Sequence, residues 1–207
     1  MEIMEYLKKF SGEIVAIVGS VELSDFAEYK ILPSQNIARV EDYFLKFSTK
    51  EKLLKALQVV ELNDAICNKD FKNLNIGDIN KLAIVESLLT KESLFIFENI
   101  NKGLNHRECE NIKRVLKKLN EHQKTIVVVT NDVDFLFNLT KHVLVVDKNN
   151  VVKPFNPINW FDSDVYNYIS KPPIIDFIEY CRSRKIKIEN ALETKELLKS
   201  IYRSVNK

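Results

Sequence analysis

At 207 residues, 45% hydrophobic and 29% charged, the chain has the composition of a globular protein with a sizeable core, which excludes disordered and membrane-embedded classes. Its 31 basic and 29 acidic side chains leave a net charge of +2, too balanced for a nucleic-acid footprint. With 4 glycines in all, it lacks the material for a glycine-rich phosphate cradle, and 3 scattered cysteines, Cys67, Cys109 and Cys181, suit a reducing compartment rather than a disulfide framework or a zinc site.

No apolar run approaches the length of a membrane span, and the first residues do not read as a signal peptide. Contact with a membrane is therefore expected to go through another protein.

Residues 13–18, Glu13-Ile14-Val15-Ala16-Ile17-Val18, read as a short buried strand closed by Gly19-Ser20. The chain continues Val21-Glu22-Leu23-Ser24-Asp25, without a lysine or a second glycine and with two acids. Pro33 breaks an irregular stretch that runs from Ile31 to Val40. Ser48 and Glu51 have the spacing of a capping box, opening a helix whose apolar face is Leu53, Leu54, Leu57 and Val60.

From Leu74 the pattern is a turn, a helix of about four turns, a loop, and the apolar strand Leu94-Phe95-Ile96-Phe97, ending on Glu98 and Asn99. An apolar strand closed by a carboxylate and an amide is where an α/β enzyme places a metal ligand and a water-positioning group. A second helix follows with Cys109, Ile112, Val115, Leu116 and Leu119 on one face, so Lys113, Arg114, Lys117 and Lys118 read as a solvated face.

Thr125-Ile126-Val127-Val128-Val129-Thr130 is a further buried strand, ending in Asn131-Asp132. Residues 142–147 and 151–153 read as a hairpin across Asn149-Asn150. Pro154 and Pro157 suggest a boundary, after which Pro172-Pro173 opens a helix with Ile174, Phe177, Ile178 and Cys181 facing one way. His106, His122 and His142 read as surface or structural groups.

In order and spacing these segments resemble the ATP-binding cassette (ABC) ATPases. Glu13 to Gly19 resembles the strand GEIVAIVG that enters the phosphate loop, and Asn75-Ile76-Gly77-Asp78 stands where the family has the signature S-G-G-Q. LFIFENI, residues 94–100, replaces LLILDEP, and Gly103-Leu104-Asn105 resembles the D-loop GLD. Asn131 takes the place of the switch histidine of T-H-D. Residues 39–44 and the segment Ile186 to Leu198, which includes Thr194-Lys195-Glu196-Leu197, resemble the energy-coupling factor branch.

The resemblance implies an α/β, P-loop NTPase-like fold of the ABC ATPase type. Strands 13–18, 94–98, 125–130 and 143–147 would form a mostly parallel sheet, with a reduced helical subdomain near 40–90. The expected division is a core over residues 1–153 and a C-terminal helical extension over 154–207.

The resemblance also assigns positions. Gly19, Ser20, Asn75 and Gly77 are vestigial nucleotide-binding positions, and Gly103, Leu104 and Asn105 are the D-loop. Glu98, Asn99 and Asn131 are degenerate catalytic positions, with Glu98 the candidate metal ligand. An amide at 99 cannot take a proton from water at neutral pH, and losing a general base costs about 10²–10⁴ in rate.

Gly19 and Gly77 also stand closer in sequence than in the family, and no Q-loop is recognisable between them. The expected function is a non-catalytic structural or regulatory subunit, without a cofactor. It would pair with a complete ABC ATPase paralogue and a membrane transport component, in the cytoplasm and peripheral to the membrane. An active, divergent Mg-ATP-dependent ATPase and a free-standing scaffold are the alternatives.

Overall fold

The computed structural model describes residues 3–19, 21, 39–147, 150–155, 160–161, 164–167 and 169–205. Its centre is a five-stranded sheet of β1 (Ile14–Gly19), β2 (Leu94–Glu98), β3 (Thr125–Val129), β4 (His142–Asp147) and β5 (Asn150–Phe155), in the order β2-β3-β1-β4-β5. The first four strands are mutually parallel and β5 is antiparallel to β4.

Continuous apolar runs are what a sheet covered on both faces requires, and the period-2 alternation divides each run between two cores. Ile14, Ala16, Val18, Phe95, Phe97, Ile126, Val128, Val143 and Val145 point into the larger core. Val15, Ile17, Ile96, Val127, Val129, Leu144 and Val146 point to the other face, where α1 (Ile3–Leu7) lays Ile3 and Leu7 on them.

The larger core is roofed by α2 (Val40–Phe44), α3 (Lys50–Val59), α4 (Ile76–Leu89) and α5 (His106–Glu121). Leu53 and Leu57 of α3, Leu82 and Val85 of α4, and Ile112 and Leu116 of α5 are fully buried there. Each such side chain contributes about 1.5–3 kcal/mol of transfer free energy.

The expected Ser48 cap is displaced by one residue. Ser48 closes the turn after α2 through its N–H to the Phe44 carbonyl, and its hydroxyl is buried with no hydrogen-bond partner among the described residues. Thr49 then takes the extended cap conformation and accepts from the Lys52 N–H at 3.4 Å.

Lys113 also departs from expectation. Its ammonium reaches back to Glu110 at 2.8 Å and the Phe137 carbonyl at 3.3 Å, and lies over the Phe135 ring, so the side chain is only 12% exposed. A long stem that packs while its tip finds oxygens is ordinary lysine behaviour, and a helical wheel does not register it.

The hairpin is shifted too, because Asn150 already pairs with Asp147 in the β4–β5 ladder; Asn149 and Pro157 lie outside the described residues. Pro154 stands inside β5 opposite Leu144, on the sheet edge where a residue without an N–H is tolerated.

After α6 (Val133–Leu136) and the β4–β5 hairpin, α7 (Pro173–Ser183) and α8 (Thr194–Val205) enclose a small core of Ile178, Cys181, Ile188 and Ala191. Trp160, Ile169 and Ile175 belong instead to the main core, and Trp160 meets Phe137 edge-on at 5.3 Å. On α7 the buried face is Ile175, Ile178 and Cys181; Phe177, expected inward, is exposed.

Candidate functional site

In an open α/β sheet, ligands bind beyond the carboxyl ends of the strands, where the strand order reverses. Here that point is the end of β1, which lies between β3 and β4. Gly19 is the last residue of β1 and Glu98 the last of β2; Asn131 follows β3 by two positions. The parallel register aligns Ile17 and Glu98 with Val129, so three of the predicted positions share one edge of the sheet.

Gly19 has φ +109, and a Cβ built there would lie 2.0 Å from the Val146 carbonyl oxygen. The glycine is required by the approach of β4. Its N–H donates to the Asn131 side-chain oxygen at 2.8 Å. The residues expected at the phosphate-loop entrance and at the switch position are thus bonded to each other. Ser20 lies outside the described residues.

Asn99 has φ +46, a left-handed conformation that Asn adopts more readily than most residues. Its N–H extends the sheet ladder to the Val129 carbonyl at 2.8 Å, and its amide lies 3.5 Å from the Glu98 carboxylate. Both side chains are exposed, and no lysine or arginine bonds to Glu98, Asn99 or Asn131 among the described residues. Nor do the described residues contain a group of three or more His, Cys, Asp or Glu able to hold a metal ion.

The other predicted positions gather at the start of α4. Asn75 caps the helix, accepting from the Asp78 N–H at 2.8 Å while its own amide donates to the Asp78 carboxylate at 2.9 Å. Asp78 therefore compensates the positive end of the helix. Gly77 is buried against Gly103. A Cβ on Gly77 would come within 2.5 Å of the Gly103 carbonyl oxygen, and one on Gly103 within 2.4 Å of Ile76 Cγ2. Leu104 is half-buried on the main core.

Asn105 caps α5 in a reciprocal box with Glu108: Glu108 N–H to Asn105 Oδ1 at 3.0 Å, Asn105 N–H to Glu108 Oε2 at 2.9 Å.

Several connecting residues belong to no sequence motif. Asn80, buried on α4, donates to the carbonyls of Asn99 at 3.1 Å and Lys102 at 2.8 Å, fixing the turn after β2. Asn101 joins that turn to the end of β3, donating to Asp132 at 2.6 Å and accepting from Thr130 at 3.3 Å. Lys81, also buried, pairs with Glu108 across α4 and α5, and this bond with that from the Asn105 N–H holds the Glu108 carboxyl below the usual carboxylate range. The Asn105-x-x-Glu108 spacing was a readable signal for the box; the partners of Asn80 and Lys81 are set by packing alone.

A cleft of about 640 Å³ opens beside Asp132, between α5, α6 and the C-terminal helices. Burial raises the pKa of the Cys109 thiol on its wall, which makes it a poor nucleophile.

No protein-family model matches the chain. Among curated proteins, the energy-coupling factor transporter ATP-binding protein EcfA3 of Oenococcus oeni is 26% identical over 156 residues, 73% of this chain and 54% of that protein. The energy-coupling factor transporter ATP-binding protein EcfA2 of Mycoplasmopsis pulmonis is 24% identical over 144 residues, 68% of this chain and 47% of that protein. The chain thus spans about half the length of these relatives.

Among solved structures, the dimeric bacterial ABC transporter cassette MJ0796 superimposes with TM-score 0.57 at 20% identity, covering 70% of this chain and 86% of that one. A bacterial Atm1-family ABC exporter with ATP bound gives TM-score 0.60 at 11% identity, covering 83% of this chain and 37% of that one. The sheet order, the site at the end of β1 and these superpositions define the fold of the ABC ATPases. In sequence, the chain is similar to the ATP-binding proteins of energy-coupling factor transporters.

Proposed function

We propose that the chain is a non-catalytic subunit of an energy-coupling-factor-like transporter, pairing with a complete ABC ATPase and, through it or directly, with a membrane component. The observation that carries this reading is the Gly19–Asn131 hydrogen bond. It occupies, within the protein, the backbone donor at the phosphate-loop entrance and the side chain at the switch position.

Two further features support it. Asn99 supplies an amide where a base would be needed, and Asp78 places a negative charge at the helix end that would face a phosphate. In this reading Gly19, Asn75, Gly77 and Asn105 keep structural duties, and no nucleotide or magnesium is required.

Co-purification from native membranes tests the partnership, with recovery of a complete ABC ATPase and a membrane protein expected. Recovery of the chain by itself favours a free-standing scaffold.

A second reading has one observation in its favour. Glu98 is exposed at the end of β2 and, among the described residues, its carboxylate is held only by a 3.5 Å contact from Asn99, which leaves it able to meet a cation. In that reading the chain is a divergent Mg-ATP-dependent ATPase. Phosphate release that Glu98→Ala abolishes would establish it and overturn the first.

A further inference from the structure

We propose that the turn between α7 and α8 is a contact for an anionic membrane surface, formed by Lys185, Ile186 and Lys187. Residues 182–187, Arg-Ser-Arg-Lys-Ile-Lys, carry four cations and no acid. The turn is tight, with Lys185 at φ +63, and the next residues line an open groove with Arg203 of α8. Glu189 is the one acid on that lining, and it is paired with Arg203 at 3.2 Å.

Arg182 is also committed, to the Ile188 carbonyl at 3.2 Å and to Asn190, and Arg184 lies over the Tyr180 ring. Lys185 and Lys187 have no side-chain hydrogen bond or ion pair among the described residues. Between them Ile186 is 46% exposed.

Two ammonium groups unpaired among the described residues, flanking an exposed aliphatic side chain, match the chemistry of a lipid interface. The apolar tip enters the headgroup boundary while the lysines reach anionic phosphates. An acidic protein segment would satisfy the lysines and leave Ile186 without a complementary environment. The inference goes beyond the proposed function and does not depend on whether the chain binds nucleotide. It would add a direct membrane contact to one expected through partners.

The test is sedimentation of the full chain with vesicles of phosphatidylcholine alone, or containing about a third phosphatidylglycerol, at ~0.05 M and ~0.5 M salt. Partition onto the anionic vesicles at low salt, weakened at high salt, is expected. The double variant Lys185→Glu/Lys187→Glu should lose about thirtyfold or more, roughly fivefold per lysine. Ile186→Ser should bind more weakly with its salt dependence retained.

Lys117→Glu/Lys118→Glu, a charge-matched change on the exposed face of α5, should keep most of the binding. Absence of partition at low salt would overturn the proposal, as would equal losses in the two double variants. So would binding to soluble polyglutamate by a chain that ignores the vesicles.

Discussion

The Gly19 N–H and the Asn131 side-chain oxygen meet at 2.8 Å across 112 positions of sequence, joining the end of β1 to the segment after β3. A hydrogen bond at an exposed position of this kind contributes about 0.5–1.5 kcal/mol. Asn131→Ala should therefore lower stability by that amount in a denaturant melt. Gly19→Ala should cost more, about 2–3 kcal/mol, because the methyl meets the Val146 carbonyl in a backbone region unfavourable to alanine.

Gly77 and Gly103 form a second such contact, and each excludes a side chain on the other. Gly77→Ala and Gly103→Ala should each destabilise by about 1–3 kcal/mol. Since either change already separates α4 from the turn, the double variant should cost less than the sum of the two. Additive losses in a double-mutant cycle would show that the two positions do not share a contact.

Lys81 and Glu108 predict a pH dependence. The folded-state pKa of Glu108 is lowered, so its contribution is present in full above the ordinary carboxylate range near ~4.3 and is lost as pH falls through the folded value. Glu108→Gln should flatten the acid limb of the stability curve while leaving the neutral-to-alkaline limb in shape. Lys81→Ala, which removes the buried partner, should cost roughly 1–3 kcal/mol at neutral pH. Urea melts between pH 3 and 7, taken as approximate bounds around the carboxylate range, provide the measurement.

On the proposed non-catalytic reading, placing a carboxylate at position 99 should not confer catalysis. Asn99 sits at φ +46, where Asn is tolerated better than Glu, so Asn99→Glu should cost about 1 kcal/mol. It should release no phosphate above background. Turnover in that variant would mean that the phosphate-binding half of the site still works.

The sheet was legible because strands covered on both faces must be continuously apolar, and Ile14–Gly19, Leu94–Glu98, Thr125–Val129 and His142–Asp147 all show that signal. The start of α4 was legible because a turn residue precedes a long helix. Local chemistry proved harder to read where two solutions lay one residue apart. Ser48 and Thr49 are both cap formers, and the inward packing of Ser48 decides for Thr49.

Long-range polar contacts left no local trace. Nothing near Asn80 in sequence announces the carbonyls of Asn99 and Lys102, and Lys113 looks like a surface lysine until the chain brings Phe137 beneath it. The site positions follow from the order and spacing of the motifs in the sequence. The bond of Asn131 to Gly19 emerges only when the strand ends are assembled, whereas that of Asn75 to Asp78 is a local cap three residues apart.

Calorimetric titration of the purified chain with Mg-ATP tests the central claim most directly. The account predicts no saturable heat up to millimolar nucleotide, with the Gly19 amide still bonded to Asn131. A saturable isotherm that Glu98→Ala abolishes would contradict it.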